Sequence, residues 1–370
     1  MDFLTWVILP ILFMLLTCFY LYTKIKGAIY YFYPKMSKRK QNYLIILITI
    51  VLIVPAVRIY STYFIVLVHF IVILFIIDCI VWLIKKIKKQ EIQSKLFLVI
   101  YKSGMIALAL TVMVIGYGYH HIYQIHRTEY TLQSNKALQN EYKIVLLSDL
   151  HYGITLNKEQ LMKQVARINQ EKADIVVLDG DLVDERTTYK QMKEAFHTLG
   201  KIKSTYGIYY VYGNHDQNDY ASKPNYTKKQ LAQTIIQSHI HILEDQTMTL
   251  NQELTLIGRV DRGDGTKNRK SIKDLTHHLN KNNEWIVLDH QPVEYQEVSK
   301  ARCDVILLGH THAGQIWPSG LLSTIFHVNE LNYGNKKMNQ LEAIVTSGIA
   351  GWGYPIRTEN NSEYVVLNIK

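Results

Sequence analysis

The chain has 370 residues, 48% of them hydrophobic, and a formal net charge of +10. That charge is confined to the front: residues 1–130 hold 14 Lys and Arg against 4 Asp and Glu, whereas residues 131–370 hold 27 of each. A neutral remainder removes the main support for nucleic-acid binding, and three cysteines (Cys18, Cys79 and Cys303) suggest neither a disulfide framework nor a thiolate metal site.

Four apolar stretches have about the length of ~20 residues that crosses a bilayer: Phe3–Thr23, Tyr43–Ile59, Tyr63–Leu83 and Leu96–Tyr119. The second is short, contains Pro55 and ends near Arg58. The first is expected to be a span and not a cleaved leader, because it lacks a basic leading region and further apolar stretches follow it. Basic residues crowd two loops, Lys24 to Lys40 and Lys85 to Lys95. The positive-inside rule therefore puts both loops in the cytoplasm and everything after the fourth span outside. Asp78 and Lys102 fall inside spans at similar depth on consecutive helices, which predicts a neutralising ion pair. His69 is expected to face another helix.

Residues 120–140 show no sustained period and read as a juxtamembrane connector between a transmembrane region, 1–119, and a globular domain, 141–370. In that domain short apolar runs alternate with helical patterns, the signature of an α/β fold. Strands are predicted at Lys143–Leu147, Asp174–Leu178, Gly207–Val211, Leu254–Ile257, Trp285–Leu288, Val305–Leu308, Ala343–Thr346 and Tyr364–Ile369. Helices are predicted at Asn157–Gln170, Tyr189–Leu199, Thr227–Gln237 (with a capping-box start) and Ser271–Asn280.

Five of these strands end in metal-ligating residue types. They run into Ser148-Asp149-Leu-His151, Asp179-Gly180-Asp181-Leu-Val-Asp184, Gly213-Asn214-His215-Asp216, Asp289-His290 and Gly309-His310-Thr-His312. Ligands gather at the carboxyl ends of strands in α/β sheets, and residues two apart on an extended segment point the same way. Asp149 with His151, and His310 with His312, are thus presented in pairs. Oxygen and imidazole donors without thiolates suit Mn, Fe, Zn or Ni.

The order Asp-x-His, Gly-Asp-x-x-Asp, Gly-Asn-His-Asp, His, Gly-His-x-His resembles that of the calcineurin-like metallophosphoesterases, across about residues 140–370. The stretches Gly309–Ile316 and Ser347–Arg357 resemble the membrane-attached bacterial branch; the four-span front lies outside the resemblance. The resemblance implies a two-sheet α/β sandwich flanked by helices, here preceded by an all-α four-span region. It implies two divalent metal ions, with manganese favoured. Asp149, His151 and His312 would bind the first, Asn214, His290 and His310 the second, and Asp181 would bridge them. It implies in-line attack on phosphorus by a hydroxide shared between the ions, with His215 protonating the leaving oxygen and Asp184 orienting His215. Arg357 would clamp a phosphate oxygen or pair with Glu363, and Tyr152 and Gly153 would shape the pocket rim.

The expected activity is hydrolysis of a phosphoester or pyrophosphate, on a small molecule, an envelope lipid or a wall-polymer precursor. The alternatives are a catalytically silent sensor or scaffold retaining the fold, against which the intact ligand set speaks, and helices that act in transport or signalling with the enzyme as accessory. His239 with His241, His120-His121 and His277-His278 lack accompanying glycines or acids and are given no metal. The run Ile316–Phe326 is unusually apolar for a segment just after a ligand, reading either as packing under a loop or as a rim that touches lipid.

Overall fold

The computed structural model describes residues 9–58, 61–263 and 268–370. They fall into two compact units that divide at Tyr117/Gly118.

The first unit is helical: α1 (Leu9–Phe32), α2 (Lys38–Ile53), α3 (Thr62–Lys88), α4 (Lys95–Lys102) and α5 (Met105–His121), the last turn of α5 belonging to the second unit. Among the described residues, two helical stretches are long and apolar enough to cross a membrane, Lys38–Val57 and Thr62–Lys88; α4 and α5 make a third only if taken as one span bent by 55°. Residues 3–8 of the first expected span lie outside the described residues, as does Ile59. Among the described residues, two to three spans are thus candidates. The expected Asp78–Lys102 pair does not form. Asp78 instead accepts hydrogen bonds from Lys24 Nζ (2.6 Å), Tyr101 (2.6 Å) and Tyr20 (2.7 Å). Lys102 rests over the Tyr101 ring, 5.6 Å from its centroid. Depth along consecutive helices does not choose the partner; the facing side of α1 does. His69 is buried and turns its Nδ1 back to the Ile65 carbonyl of its own helix (2.8 Å).

The second unit holds two six-stranded sheets. β1 (Ile125–Leu132), β12 (Ser362–Ile369), β2 (Tyr142–Leu147), β3 (Ile175–Asp179), β4 (Ile208–Val211) and β5 (Ile240–Ile242) lie in that order in the first. The second runs β10 (Gly334–Met338), β11 (Leu341–Val345), β9 (Val305–Leu308), β8 (Glu284–Leu288), β7 (Leu254–Gly258) and β6 (Gln246–Thr249). Because side chains alternate along a strand, each central strand serves two cores. Ile144 and Leu146 of β2, with Ile286 and Leu288 of β8, fill the space between the sheets. Val145 and Leu147 face the layer of α6 (Lys158–Glu171), α7 (Tyr189–Leu199) and α8 (Lys228–Gln237). On the far side Trp285, Val287, Ile306 and Leu308 pack with residues of α9 (Ile272–Thr276) and α10 (Tyr295–Lys300).

All eight predicted strands form, within three residues at each end. Two expectations need correction. Residues 125–132 are not connector but β1, parallel to β12 with Ile125 opposite Ser362. As an edge strand β1 buries only Ile125 fully, so its sequence carries no clear period. The helix expected at 271–280 is only the short α9, capped by Ser271, whose side chain accepts from the Asp274 N–H.

Candidate metal centre

β2, β3 and β4 are parallel neighbours in one sheet, and β8 and β9 in the other, so all five motif loops leave at corresponding strand ends. Five of the seven candidate ligand residues are not extended, however. Asp149, His151, Asp181, His310 and His312 all have positive φ, from 39° to 73°. Each chain turns sharply just beyond its strand, and it is this left-handed backbone, rather than strand pleating, that aims the pairs inward. Such conformations cost roughly 1–3 kcal/mol for a residue with a Cβ, so the surroundings must hold them. They do so by backbone bonds: Asp149 N–H donates to Gly180 O and His151 N–H to Asp181 O, each at 3.0 Å. At Gly180 (φ +73°) a Cβ would come within 2.6 Å of both Gly213 N and His290 Nδ1, so only glycine lets the β3 and β4 loops and His290 close up.

Two groups of donors result. Asp149, His151 and His312 offer atoms that all lie within 4.8 Å of one another, and so do Asp181, His290 and His310. In the first group His151 Nε2 is 3.2 Å from His312 Nε2, and His312 Nε2 is 3.4 Å from Asp149 Oδ1. Asp181 Oδ2 lies 3.1 Å from His290 Nε2 and 3.8 Å from His151 Nε2, placing one carboxylate between the groups. Asn214 presents a buried side-chain oxygen with no hydrogen-bond partner. His290 Nδ1 donates to the Asp179 carbonyl at 2.7 Å, which turns Nε2 toward Asp181. Burial works against charging this ring, but the Asp181 carboxylate holds His290 well above the usual histidine range, so a cation would take the place of the Nε2 proton. Burial holds the His310 imidazole down at about 4 and His312 well below its usual range, so both stay neutral, as ligands require. Burial works against ionising Asp181, but the charge and hydrogen bond of His290 hold its carboxyl well below the carboxylate range. Imidazoles, carboxylates and an orphaned amide oxygen packed this closely form a donor set that fits two divalent cations.

Beside the centre, His215 donates its backbone N–H to Asp181 Oδ1 (2.9 Å). Its Nδ1 lies 2.9 Å from Glu185 Oε1 and 3.1 Å from Oε2. Burial lowers the His215 pKa, but the Glu185 bond and the charges of Asp181 and Asp184 outweigh it and bring it up to about 9. The expected Asp184 partnership is thereby corrected. Asp184 Oδ2 faces His151 Nδ1 at 3.6 Å, while its Oδ1 accepts from the Arg186 and Thr187 backbone. Asp184 and Glu185 are adjacent, so their side chains leave the loop on different sides. Trp352 and Tyr220 flank the His215 ring, with centroids at 5.5 and 5.3 Å.

One substrate assignment also changes. Arg357 is fully buried and donates to the carbonyls of His312 (2.9 Å), Ser347 (3.1 Å) and Ala350 (2.8 Å), so it reaches neither a phosphate nor Glu363. Tyr152, largely buried with its hydroxyl on Glu194, lines a small 240 Å³ cleft together with Gly153 (φ +103°), Asp184, Arg186 and Pro355.

Sequence reading missed Glu185, for which an acid next to Asp184 was the available signal, and Asp216. The Asp216 carboxylate accepts from the backbone N–H groups of Asp181, Leu182, Val183 and Gly213 at 2.7–3.1 Å, tying the β3 loop to the β4 loop. Burial, reinforced by the charge of Asp181, pushes its pKa up to about 6.

The calcineurin-like phosphoesterase family profile matches residues 142–314. An uncharacterized metallophosphoesterase of Helicobacter pylori is 32% identical over 236 residues, which cover 63% of this chain and 60% of that protein. A Danio rerio transmembrane protein with metallophosphoesterase domain is 25% identical over 287 residues, covering 73% of this chain and 63% of that protein. An Aquifex aeolicus metallophosphoesterase is 27% identical over 270 residues, covering 70% and 98%. The chain thus spans less than two thirds of the length of the first two of these relatives.

Proposed function

From the premise that this chain carries a calcineurin-like phosphoesterase domain, we propose that the protein is a membrane-anchored, dinuclear-metal phosphohydrolase. Its substrate is a phosphoester or pyrophosphate of the cell envelope, a lipid or a wall-polymer precursor. The observation that carries this reading is Asp181 lying between two three-residue donor groups, with the protonated His215 one backbone hydrogen bond away.

Asp149, His151 and His312 would hold one ion and His290, His310 and Asn214 the other, with Asp181 shared. Bound there, two Mn, Fe, Zn or Ni ions (manganese favoured) supply Lewis-acid charge for the phosphate and lower the pKa of water. The protein's own part lies around them. Glu185 on Nδ1 leaves the His215 proton at Nε2, where it can pass to the leaving oxygen. Asp184 orients His151 from behind, and Arg357 fixes the carbonyl of His312. The apolar helices anchor the enzyme as a multi-pass protein. With α1 counted as the first of four spans, the basic loops put the catalytic unit outside the cytoplasm.

A silent sensor that keeps the fold is the second reading. The completeness of the donor set favours the enzyme, since a sensor needs neither the strained ligand backbones nor the His215–Glu185 pair. The test uses the full chain in detergent, stripped of metal and resupplied with Mn, against a nitrophenyl monoester and a bis-nitrophenyl diester. Metal-dependent turnover that vanishes in Asp181→Asn is the expected result. Binding of two ions without turnover of either ester, or of any envelope phospholipid, overturns the enzymatic reading.

A further inference from the structure

The exposed large apolar side chains of the phosphoesterase unit are concentrated in one short stretch. Trp317, Leu321, Leu322, Ile325, Phe326 and Val328 all stand in solvent, Phe326 at 70% and Val328 at 68% of full exposure. Leu321, Leu322 and Ile325 sit on α11 (Ser319–Ile325), where one and four residues apart make one face. Residues 316–328 contain no Lys, Arg, Asp or Glu. A patch this apolar in a soluble unit marks an interaction surface.

The patch is mounted on the segment that secures the tether. Glu359 accepts from the Gly320 and Leu321 N–H groups at the start of α11 (2.8 and 2.9 Å), and Thr358 Oγ1 accepts from Trp317 N–H (2.9 Å). The same segment grips the last turn of α5: Arg357 N–H donates to Gly118 O (3.0 Å), and His121 bonds the Arg357 carbonyl (3.2 Å) and the Asn361 side chain (2.7 Å). Residues 357–361 therefore carry the apolar patch and the end of the apolar helix α5 together. This shared mounting favours the membrane that would hold α5 as the occupant of the face, whereas a protein partner would have to be recruited. An uncharged helix with exposed Leu, Ile and Phe and a neighbouring Trp also has the composition of a segment seated at the headgroup level.

We propose that α11 and its flanks dock into the surface of the bilayer in which the chain is anchored. Six residues, 313–318, lie between His312 and the start of α11, so docking holds the mouth of the metal centre at the lipid headgroups. What is cleaved there rests on the phosphoesterase reading; the docking itself does not.

The full chain, with Cys18 and Cys79 replaced by Ser and the buried Cys303 retained, is reconstituted in phosphatidylcholine/phosphatidylglycerol nanodiscs. Phe326→Cys carries an environment-sensitive nitrobenzoxadiazole dye, and Ile236→Cys, exposed on α8, is the control. The expected result is blue-shifted emission at 326 that lipids spin-labelled near the headgroup quench at least threefold more than at 236. Solvent-like emission at 326 overturns the proposal. So does a blue shift that spin-labelled lipid leaves unquenched, which would mean a second copy or the chain's own helices cover the patch. Leu321→Asp with Phe326→Asp should abolish the quenching of a dye at Val328→Cys while leaving bis-nitrophenyl diester hydrolysis unchanged. If the parent chain hydrolyses nothing, the enzymatic reading falls and the quenching still decides docking.

Discussion

Glu185, and not its neighbour Asp184, lies on His215, with Oε1 2.9 Å from Nδ1. The two adjacent acids thus face different groups, one the candidate proton donor and the other the candidate metal ligand His151.

Glu185→Gln and His215→Ala should therefore share a phenotype. Both lower kcat most for esters with poor leaving groups and least for nitrophenolate; a general acid contributes about 10²–10⁴-fold and its orienting partner about 10–100-fold. Asp184→Asn should instead weaken the affinity of the first metal by about 10–100-fold with little dependence on the leaving group. Metal titration by calorimetry and a leaving-group series with the three variants separate the roles.

Arg357 acts as a buried clamp. Arg357→Met would leave the carbonyls of His312, Ser347 and Ala350 without their donor, at roughly 1–3 kcal/mol for each buried group left unsatisfied. A thermal melt should show strong destabilisation, and metal content should fall because His312 loses its backbone anchor. Substrate KM should be unchanged in whatever fraction folds with metal bound. A raised KM with normal stability would restore the phosphate-clamp role.

In the helical unit Asp78 depends on Lys24. Lys24→Met should lower the melting temperature of the detergent-solubilised chain, because it leaves a partly buried carboxylate with only tyrosine donors. Lys102→Met should leave it within about 0.5 kcal/mol of the parent, the range of an ordinary surface change. Differential scanning of the two variants decides which lysine matters.

Glu284 gives a pH dependence away from the metal centre. Burial, then the charge of Asp304, raises its pKa from 4.5 to about 7. The folded state therefore binds this proton more tightly than the unfolded chain. The stability it contributes is fully present below about pH 4.5 and is lost as pH rises through 7. Glu284→Gln should keep the Ser134 hydrogen bond, stabilise the fold above pH 7 by about 1–3 kcal/mol, and flatten the stability profile between pH 4.5 and 7. Urea melts across that range check it.

The sequence by itself determined the element types and the chemistry at the strand ends. Apolar runs of four to six residues set the central strands, because both faces of each are buried and the pattern is dense. Glycines, acids and histidines that follow those runs pointed to the candidate donor groups that the fold brings together, since loop residue types are local information. Only the tertiary structure decided the partners. Whether Asp184 or Glu185 meets His215 depends on which way each side chain leaves a turn, and the charge pattern is the same for both. Arg357 looks like a phosphate ligand until three carbonyls from separate segments converge on it. β1 became a strand through pairing with β12, about 240 residues later, which outweighed its lack of a local period. Asp78 took its partner from α1, because in a helical unit it is the packed faces that bring charges together, whatever their order along the chain.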